Sequence, residues 1–389
     1  MITAPLIYLD HAAATPLGDK ALSAMIPYFS EHFFNPSSPY LSALKVRQDY
    51  EAAKNTIAHV IGAKGVDIII TAGATESINL AFTAANPDDH IIISAAEHPA
   101  VAANTQKFNN LSTINLDKFG RIDLEDLSQK ISSKTRLISV CFASSELGTI
   151  QPISEVANLV KLERQRRLQN SDKSPIFLHC DASQGVGLAD IKISRLGVDL
   201  LTINSAKIYG PKGVGALWVS HGVKLKPIIV GGGQEMGFRS GTENVPATIG
   251  FAAAIQEAEK HLASERKRLG NLRDQLKKQF SQNPAIQFLG NPKTQLANFL
   301  PISIPGLDAE RLIFKLEQQS VYVSTGAACS ASKGVKSRTL EAIGLSDKEI
   351  AGSLRLTLGK LNDESNINQS AEIILKTISS EQERIHDAN

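Results

Sequence analysis

The run Val198-Asp199-Leu200-Leu201-Thr202-Ile203-Asn204-Ser205-Ala206-Lys207-Ile208-Tyr209-Gly210-Pro211-Lys212-Gly213 decides the reading of this chain. Its first part is an apolar stretch of buried-strand type, and its last part is a stiff Gly/Pro turn. Between them stands Lys207, an amine held at a strand end. That placement suits a lysine that forms a Schiff base. Such an amine must shed its proton near neutrality, although a free lysine titrates at about 10.4. Burial and neighbouring cations supply a shift of that kind. A lone loop lysine is more often ordinary surface chemistry, so the weight falls on its companions.

The chain has 389 residues, of which 42% are hydrophobic, enough for two domains and a large core. Forty-one basic residues face 39 acidic ones, which leaves no electrostatic case for nucleic acid or an anionic membrane as a partner. Met1 to Asp10 shows no basic-then-apolar secretory pattern, and no apolar run approaches the ~20 residues of a membrane span; a cytoplasmic location is expected. Three cysteines make no disulfide framework. Cys141 and Cys180 lie in strand-like apolar runs, where a thiol acts as a small hydrophobe. Cys329 lies instead in Ser324-Thr325-Gly326-Ala327-Ala328-Cys329-Ser330-Ala331-Ser332, a small, polar, loop-like stretch that suggests an exposed thiol.

Apolar runs and amphipathic stretches alternate from about residue 40 to 220. Ile68–Thr71, His90–Ser94, Thr113–Leu116, Leu137–Phe142, Ile176–Asp181, Leu200–Asn204 and Gly215–Val219 read as strands. Leu41–Ile61, Thr75–Ala85, Pro99–Phe108 and Ile153–Leu168 read as helices. The pattern predicts an α/β domain with a mainly parallel sheet and a ligand at the carboxyl ends of its strands. Pro246–Phe280 reads as one long helix, with Glu265-Arg266-Lys267-Arg268 as a solvated face. Beyond it, Ile302–Ile304, Ala309–Gln319, Val321–Ser324, Leu354–Leu358 and Asn366–Ser379 read as a smaller α+β domain. The expected division is 15–260 for the large domain, with 1–14 and 261–389 in the small one.

Four further segments carry chemistry. Thr71-Ala72-Gly73-Ala74-Thr75-Glu76-Ser77 lies between a strand and a helix; its glycine admits an anion and the helix start offers free N–H groups. Glu97-His98-Pro99 puts a histidine after a strand, where an imidazole can stack on a pyridine ring and shuttle protons. His179-Cys180-Asp181-Ala182-Ser183-Gln184 puts a carboxylate at another strand end. Beside a pyridine nitrogen it keeps that nitrogen protonated and makes the ring an electron sink; a metal ligand or turn cap is the alternative. Asp181 stands 26 residues before Lys207, which favours the cofactor. Gly231-Gly232-Gly233-Gln234-Glu235-Met236-Gly237-Phe238-Arg239-Ser240-Gly241-Thr242 permits close backbone approach to a ligand or a neighbouring subunit.

These segments, in this order, resemble the class V aminotransferase-like enzymes that use pyridoxal 5'-phosphate (PLP). More narrowly, the chain is similar to the cysteine desulfurases of the iron–sulfur cluster assembly group. The resemblance runs from Ile7-Tyr8-Leu9-Asp10-His11-Ala12-Ala13-Ala14-Thr15-Pro16 to Ser353-Leu354-Arg355-Leu356-Thr357. It implies the α/β, aspartate aminotransferase-like fold of PLP-dependent transferases. It implies Lys207 as the Schiff-base lysine, Asp181 at the pyridinium nitrogen, Gln184 at the phenolic oxygen and His98 over the ring. Ala74, Thr75 and Ser183 then hold the phosphate, and Asn204 and Ser205 can donate to it. Thr242 reaches the phosphate held by a partner subunit, which implies a homodimer. Arg355, with Asn35 at the same end, takes the substrate carboxylate, a task suited to guanidinium geometry. Cys329 matches the nucleophile, which takes sulfur from L-cysteine as a persulfide and passes it to an acceptor or iron–sulfur scaffold protein. Only a thiolate is nucleophilic.

Three positions depart from the family pattern. Ala206 replaces the histidine that usually precedes the lysine, Asn204 replaces a serine, and Ser145 replaces an asparagine that reaches the ring oxygen and the substrate carboxylate. Each lost hydrogen bond is worth roughly 0.5–1.5 kcal/mol, so weaker cofactor retention or altered substrate handling is expected. Other readings are a selenocysteine lyase, another class V PLP enzyme such as an aminotransferase, or a weakly active homologue that serves as a sulfur-transfer scaffold. Cys329 argues against an ordinary aminotransferase, which needs no thiol.

Overall fold

Isoleucine and leucine alternate between two faces along the central strands, and that alternation builds the protein. In the computed structural model, which describes residues 6–326 and 336–387, a short strand β1 (Ile7–Tyr8) is followed by seven that form one sheet: β2 (Ile68–Thr71), β3 (His90–Ser94), β4 (Asn110–Ile114), β5 (Thr135–Ser139), β6 (Phe177–Asp181), β7 (Leu200–Asn204) and β8 (Gly215–Val219). The spatial order is β2-β8-β7-β6-β5-β3-β4, and β8 alone runs against the rest. Ile68, Ile70, Leu201, Ile203 and Ala216 bury into one core cluster, while their neighbours Ile69, Leu200 and Leu217 bury into another on the opposite face. A parallel sheet needs both faces covered, and flanking helices such as Leu41–Val60, Ile153–Gln169 and Ala74–Ala81 supply the cover.

The second unit contains β9 (Gln287–Phe288), β10 (Phe299–Ser303), β11 (Val321–Tyr322), β12 (Ser324–Thr325) and β13 (Ser353–Thr357). An antiparallel sheet β12-β13-β10-β9 packs beneath the helices Ala309–Glu317 and Glu364–Asp387, while β11 pairs in parallel with β1. The chain's first strand thus belongs with its last third.

One helix, Val245–Phe280, serves both cores. Phe251, Ala254 and Ile255 pack in the first, and Leu269, Leu272, Leu276 and Phe280 in the second. Its 36 residues span about 54 Å at 1.5 Å each. Among the described residues no helix is long and apolar enough to cross a membrane.

Several boundaries differ from the expectation. The strand expected at Thr113–Leu116 lies at Asn110–Ile114, an edge strand whose outer residues are exposed and therefore carry no apolar signal. The run Val321–Ser324 is split at Val323, because β11 joins one sheet and β12 another. Glu265–Arg268 is not simply a solvated face. Arg266 and Lys267 are exposed, but Arg268 donates to the carbonyls of Gly359 (2.9 Å) and Asn362 (2.5 Å) and pins the loop after β13 to the long helix. Cys329 lies outside the described residues.

Candidate active site

The carboxyl ends of β2, β3, β5, β6 and β7 open on one cavity of about 860 Å³. Ala74, Thr75, His98, Ser145, Asp181, Ser183, Gln184, Asn204, Lys207 and Arg355 all line it, although they come from six separate stretches of chain. Ser205 lies just beneath, fully buried. Asn35 and Thr242 are exposed and are not part of this wall.

Each side chain is placed by local geometry. Lys207 ends a tight helical turn, Ser205–Lys207, whose start is capped by Asn204: Oδ1 accepts from the Ala206 amide at 3.0 Å. The Ala206 carbonyl in turn accepts from the Thr15 hydroxyl (3.1 Å) and amide (3.0 Å). Tyr209 follows with φ of 63°, a strained left-handed conformation held by its amide bond to Thr15 Oγ1 (2.8 Å). The departure at 204 thus finds a use, since Asn204 is the cap; at 206 only the backbone is engaged, and nothing in the structure explains the alanine.

His98 is the N-cap of the helix Pro99–Asn104, and its Nδ1 accepts from the Ala100 amide at 3.1 Å. The neutral ring therefore carries its proton on Nε2. Burial, more than any neighbour, lowers the pKa of His98; Asp181 opposes the shift, and Lys207 and Arg355 reinforce it. Asp181, at the end of β6, accepts from the Ser183 amide at 3.0 Å. Behind it Glu97 accepts from Ser94 Oγ and the Cys141 amide, both at 2.7 Å. Burial pushes the Glu97 carboxyl up to about 8, with the charge on Asp181 adding to the effect.

Arg355, on β13, reaches across from the second sheet. Nη2 pairs with Asp10 Oδ1 at 2.6 Å, Nη1 donates to the Ser145 carbonyl at 2.9 Å, and the buried Nε has no partner among the described residues. Asp10, Thr15, Glu76, Lys107 and Lys212 were missed in the sequence as parts of the site's framework. Asp10 and Thr15 did lie in the quoted segment Ile7–Pro16, but nothing in spacing could pair position 10 with position 355.

The cavity fits a phosphate-bearing pyridine. Lys107, Lys207, Lys212 and Arg355 on its wall outnumber Glu76 and Asp181, which suits an anion. The helix Ala74–Ala81 starts there without a side-chain cap, after Gly73 at φ of 141°, a conformation open essentially to glycine. Ser183 Oγ is buried on the same wall with no partner among the described residues. An unsatisfied hydroxyl, an uncapped helix start and a buried carboxylate are what PLP would complete.

The sequence matches the model of the aminotransferase class-V family over residues 7–369. It is 38% identical over 377 residues to "Cysteine desulfurase IscS 1" of Archaeoglobus fulgidus, covering 94% of this chain and 95% of that protein. Among solved structures, a NifS-like protein superposes with a TM-score of 0.88 at 30% identity, covering 96% of this chain and all of that one. "SspA in complex with cysteine" superposes at 0.76 and 28%, covering 90% and 98%. With these likenesses across a fold and cavity built for PLP, the chain belongs to the class V aminotransferase family, in its cysteine desulfurase branch.

Proposed function

We propose that this protein converts L-cysteine to L-alanine with PLP and carries the released sulfur as a persulfide on Cys329 to an acceptor or iron–sulfur scaffold protein. The observation that carries the reading is the convergence of Lys207, Asp181, His98 and Arg355 on one cavity from distant parts of the chain. PLP, when bound, supplies the electron sink that weakens the substrate Cβ–Sγ bond. Lys207, at the cavity wall, would be the residue that tethers PLP. Asp181 would hold a proton on the ring nitrogen, and Gln184, whose Nε2 donates to the Ala12 carbonyl at 3.1 Å, would hold the phenolic oxygen. Ala74, Thr75 and Ser183 take the phosphate. Arg355 takes the substrate carboxylate, with Asp10 and the Ser145 carbonyl fixing its direction. His98 exchanges a proton through Nε2, because Nδ1 is engaged. The Cys329 thiolate attacks the substrate sulfur: the new S–S bond forms as Cβ–Sγ breaks, the bond pair stays with the substrate carbon, and protonation yields alanine.

The reading extends to a cytoplasmic homodimer in which Thr242 serves a neighbouring site. Exposed Phe29, Phe33, Tyr40 and Leu41 support it, since large clustered apolar side chains mark interfaces. It also carries the division into 15–260 against 1–14 and 261–389, supported by the separate core clusters.

The test is direct. Purified protein given PLP should absorb as a protonated Schiff base, and Lys207→Ala should abolish that band. With L-cysteine, alanine and sulfide should appear in equal amounts under a reducing thiol, and Cys329→Ser should stop both. Alanine formation unchanged in that variant removes Cys329 from the mechanism.

A further inference from the structure

Three consecutive residues after β5 do three different things. The turn Ser144–Gly148 is closed by Gly148 N–H to the Ser144 carbonyl (2.8 Å), and Ser144 Oγ accepts from the Leu147 amide (3.2 Å). On this fixed turn the Ser145 carbonyl accepts from Arg355. The Glu146 carboxylate accepts from the Ser337 hydroxyl. Leu147, fully buried, packs with Leu340 and Ile343 in a small apolar cluster of its own.

Ser337 is the N-cap of the helix Arg338–Ala342, and its Oγ also accepts from the Leu340 amide at 3.0 Å. It stands eight residues after Cys329. On the other side of that segment, Gly326 donates to the Ser353 carbonyl of β13 at 2.9 Å, two residues before Arg355. Both roots of the segment that bears Cys329 are therefore bonded to the elements that hold Arg355.

We propose that Glu146 is a positioning residue that fixes the C-terminal root of the Cys329-bearing segment, at Ser337, to the clamp for the substrate carboxylate. The proposal rests on the desulfurase reading for the roles of Cys329 and Arg355. A carboxylate is the right device. It is a charged acceptor for a single hydroxyl, stronger than a neutral one, and it faces Arg355 and the hydroxyls of Ser337 and Thr339. Loss of hydration pushes this carboxyl up to about 7, so its ionised form leans on those three neighbours. Leu147 adds an apolar contact that keeps the helix Arg338–Ala342 seated while the hydrogen bond sets its register.

The test uses the PLP-loaded protein and four variants: Glu146→Ala, Glu146→Gln, Ser337→Ala and the Glu146→Ala/Ser337→Ala pair. Hydrogen exchange at residues 336–343, without substrate, should rise about tenfold or more in Glu146→Ala, the equivalent of one charge-assisted bond. Alanine formation should lose a similar factor in kcat while KM stays within about twofold, because Arg355 keeps its bonds to Asp10 and the Ser145 carbonyl. The pair should be no worse than Ser337→Ala alone, and Glu146→Gln, which keeps an acceptor but not its charge, should recover only part of the loss. Unchanged exchange, additive losses in the pair, a rise in KM alone, or exchange rising equally in β5 and β6 would each overturn the proposal. If Glu146→Ala fails to fold, Ser337→Ala and Glu146→Gln still decide it. A parent protein that makes no alanine sinks the desulfurase reading, whereas the exchange result speaks to Glu146 by itself.

Discussion

Gly215→Ala adds one methyl group where there is no room for it. Gly215 opens β8 and pairs with Thr71 of β2 on one side and Asn204 of β7 on the other, so it sits between two strand ends that feed the cavity. A Cβ there would lie 2.8 Å from the carbonyl carbon of Gly73, 2.9 Å from its Cα, and 2.9 Å from the Ile203 oxygen. Carbon atoms pack best at about 3.5–4.0 Å, so the overlap is roughly 1 Å, and all three obstacles are backbone. The strand is flanked on both sides and cannot step away. Relief must come from Gly73, which would drag the start of the helix Ala74–Ala81 with it. Overpacking of this kind costs roughly 1–3 kcal/mol. The variant should unfold at lower urea than the parent by that amount. It should also bind PLP about tenfold more weakly, or about 1.4 kcal/mol, because the phosphate cradle has moved. Gly270→Ala is the matched control: it lies within the long helix, its Cβ would meet only Ala297 Cβ at 4.0 Å, and it should stabilise by roughly 0.5–1 kcal/mol. A Gly215→Ala protein with parental stability and parental PLP affinity would refute the argument.

Arg167 is 2% exposed and spends all five donors, on Glu163 and on the carbonyls of Ser132, Thr135, Ser174 and Pro175. Lysine cannot reproduce that fork, so Arg167→Lys should lose roughly 2–4 kcal/mol in urea unfolding while the folded variant keeps its alanine-forming rate. Glu97 titrates near 8 when folded and in the ordinary carboxyl range when unfolded. Between those values the unfolded chain has given up a proton that the native protein retains, so stability falls as pH rises, by up to about 1.4 kcal/mol per pH unit. Glu97→Gln should remove that slope; unfolding curves of parent and variant from pH 5 to 8 should diverge steadily in the variant's favour, and parallel curves would count against a protonated Glu97.

The strand ends were readable because a residue type that is rare in cores follows an apolar run: Asp181 after Phe177–Cys180, Lys207 after Leu200–Ile203. The long helix was readable from its period. What escaped notice depends on distance along the chain. Asp10 meets Arg355 only because β1 crosses to join β11, which is a topological fact without a local signal. Arg268 reads as surface by composition, and besides Glu265 it bonds carbonyls that lie 91 and 94 residues away. The strand Asn110–Ile114 holds its place by ladder bonds to β3 alone, and a polar edge needs no apolar pattern. Glu146 carries no local signal, because its partner stands 191 positions downstream.

The unbroken helix Val245–Phe280 acts as a spindle on which both halves of the molecule are mounted. Adding or deleting a single residue between Ile255 and Leu269 would turn everything beyond it by about 100° and slide it by about 1.5 Å. Arg355 would then swing away from Lys207 even though every local contact in either half survived. Length in that stretch is therefore under tighter constraint than composition, and variation among relatives should appear there as substitution rather than insertion or loss.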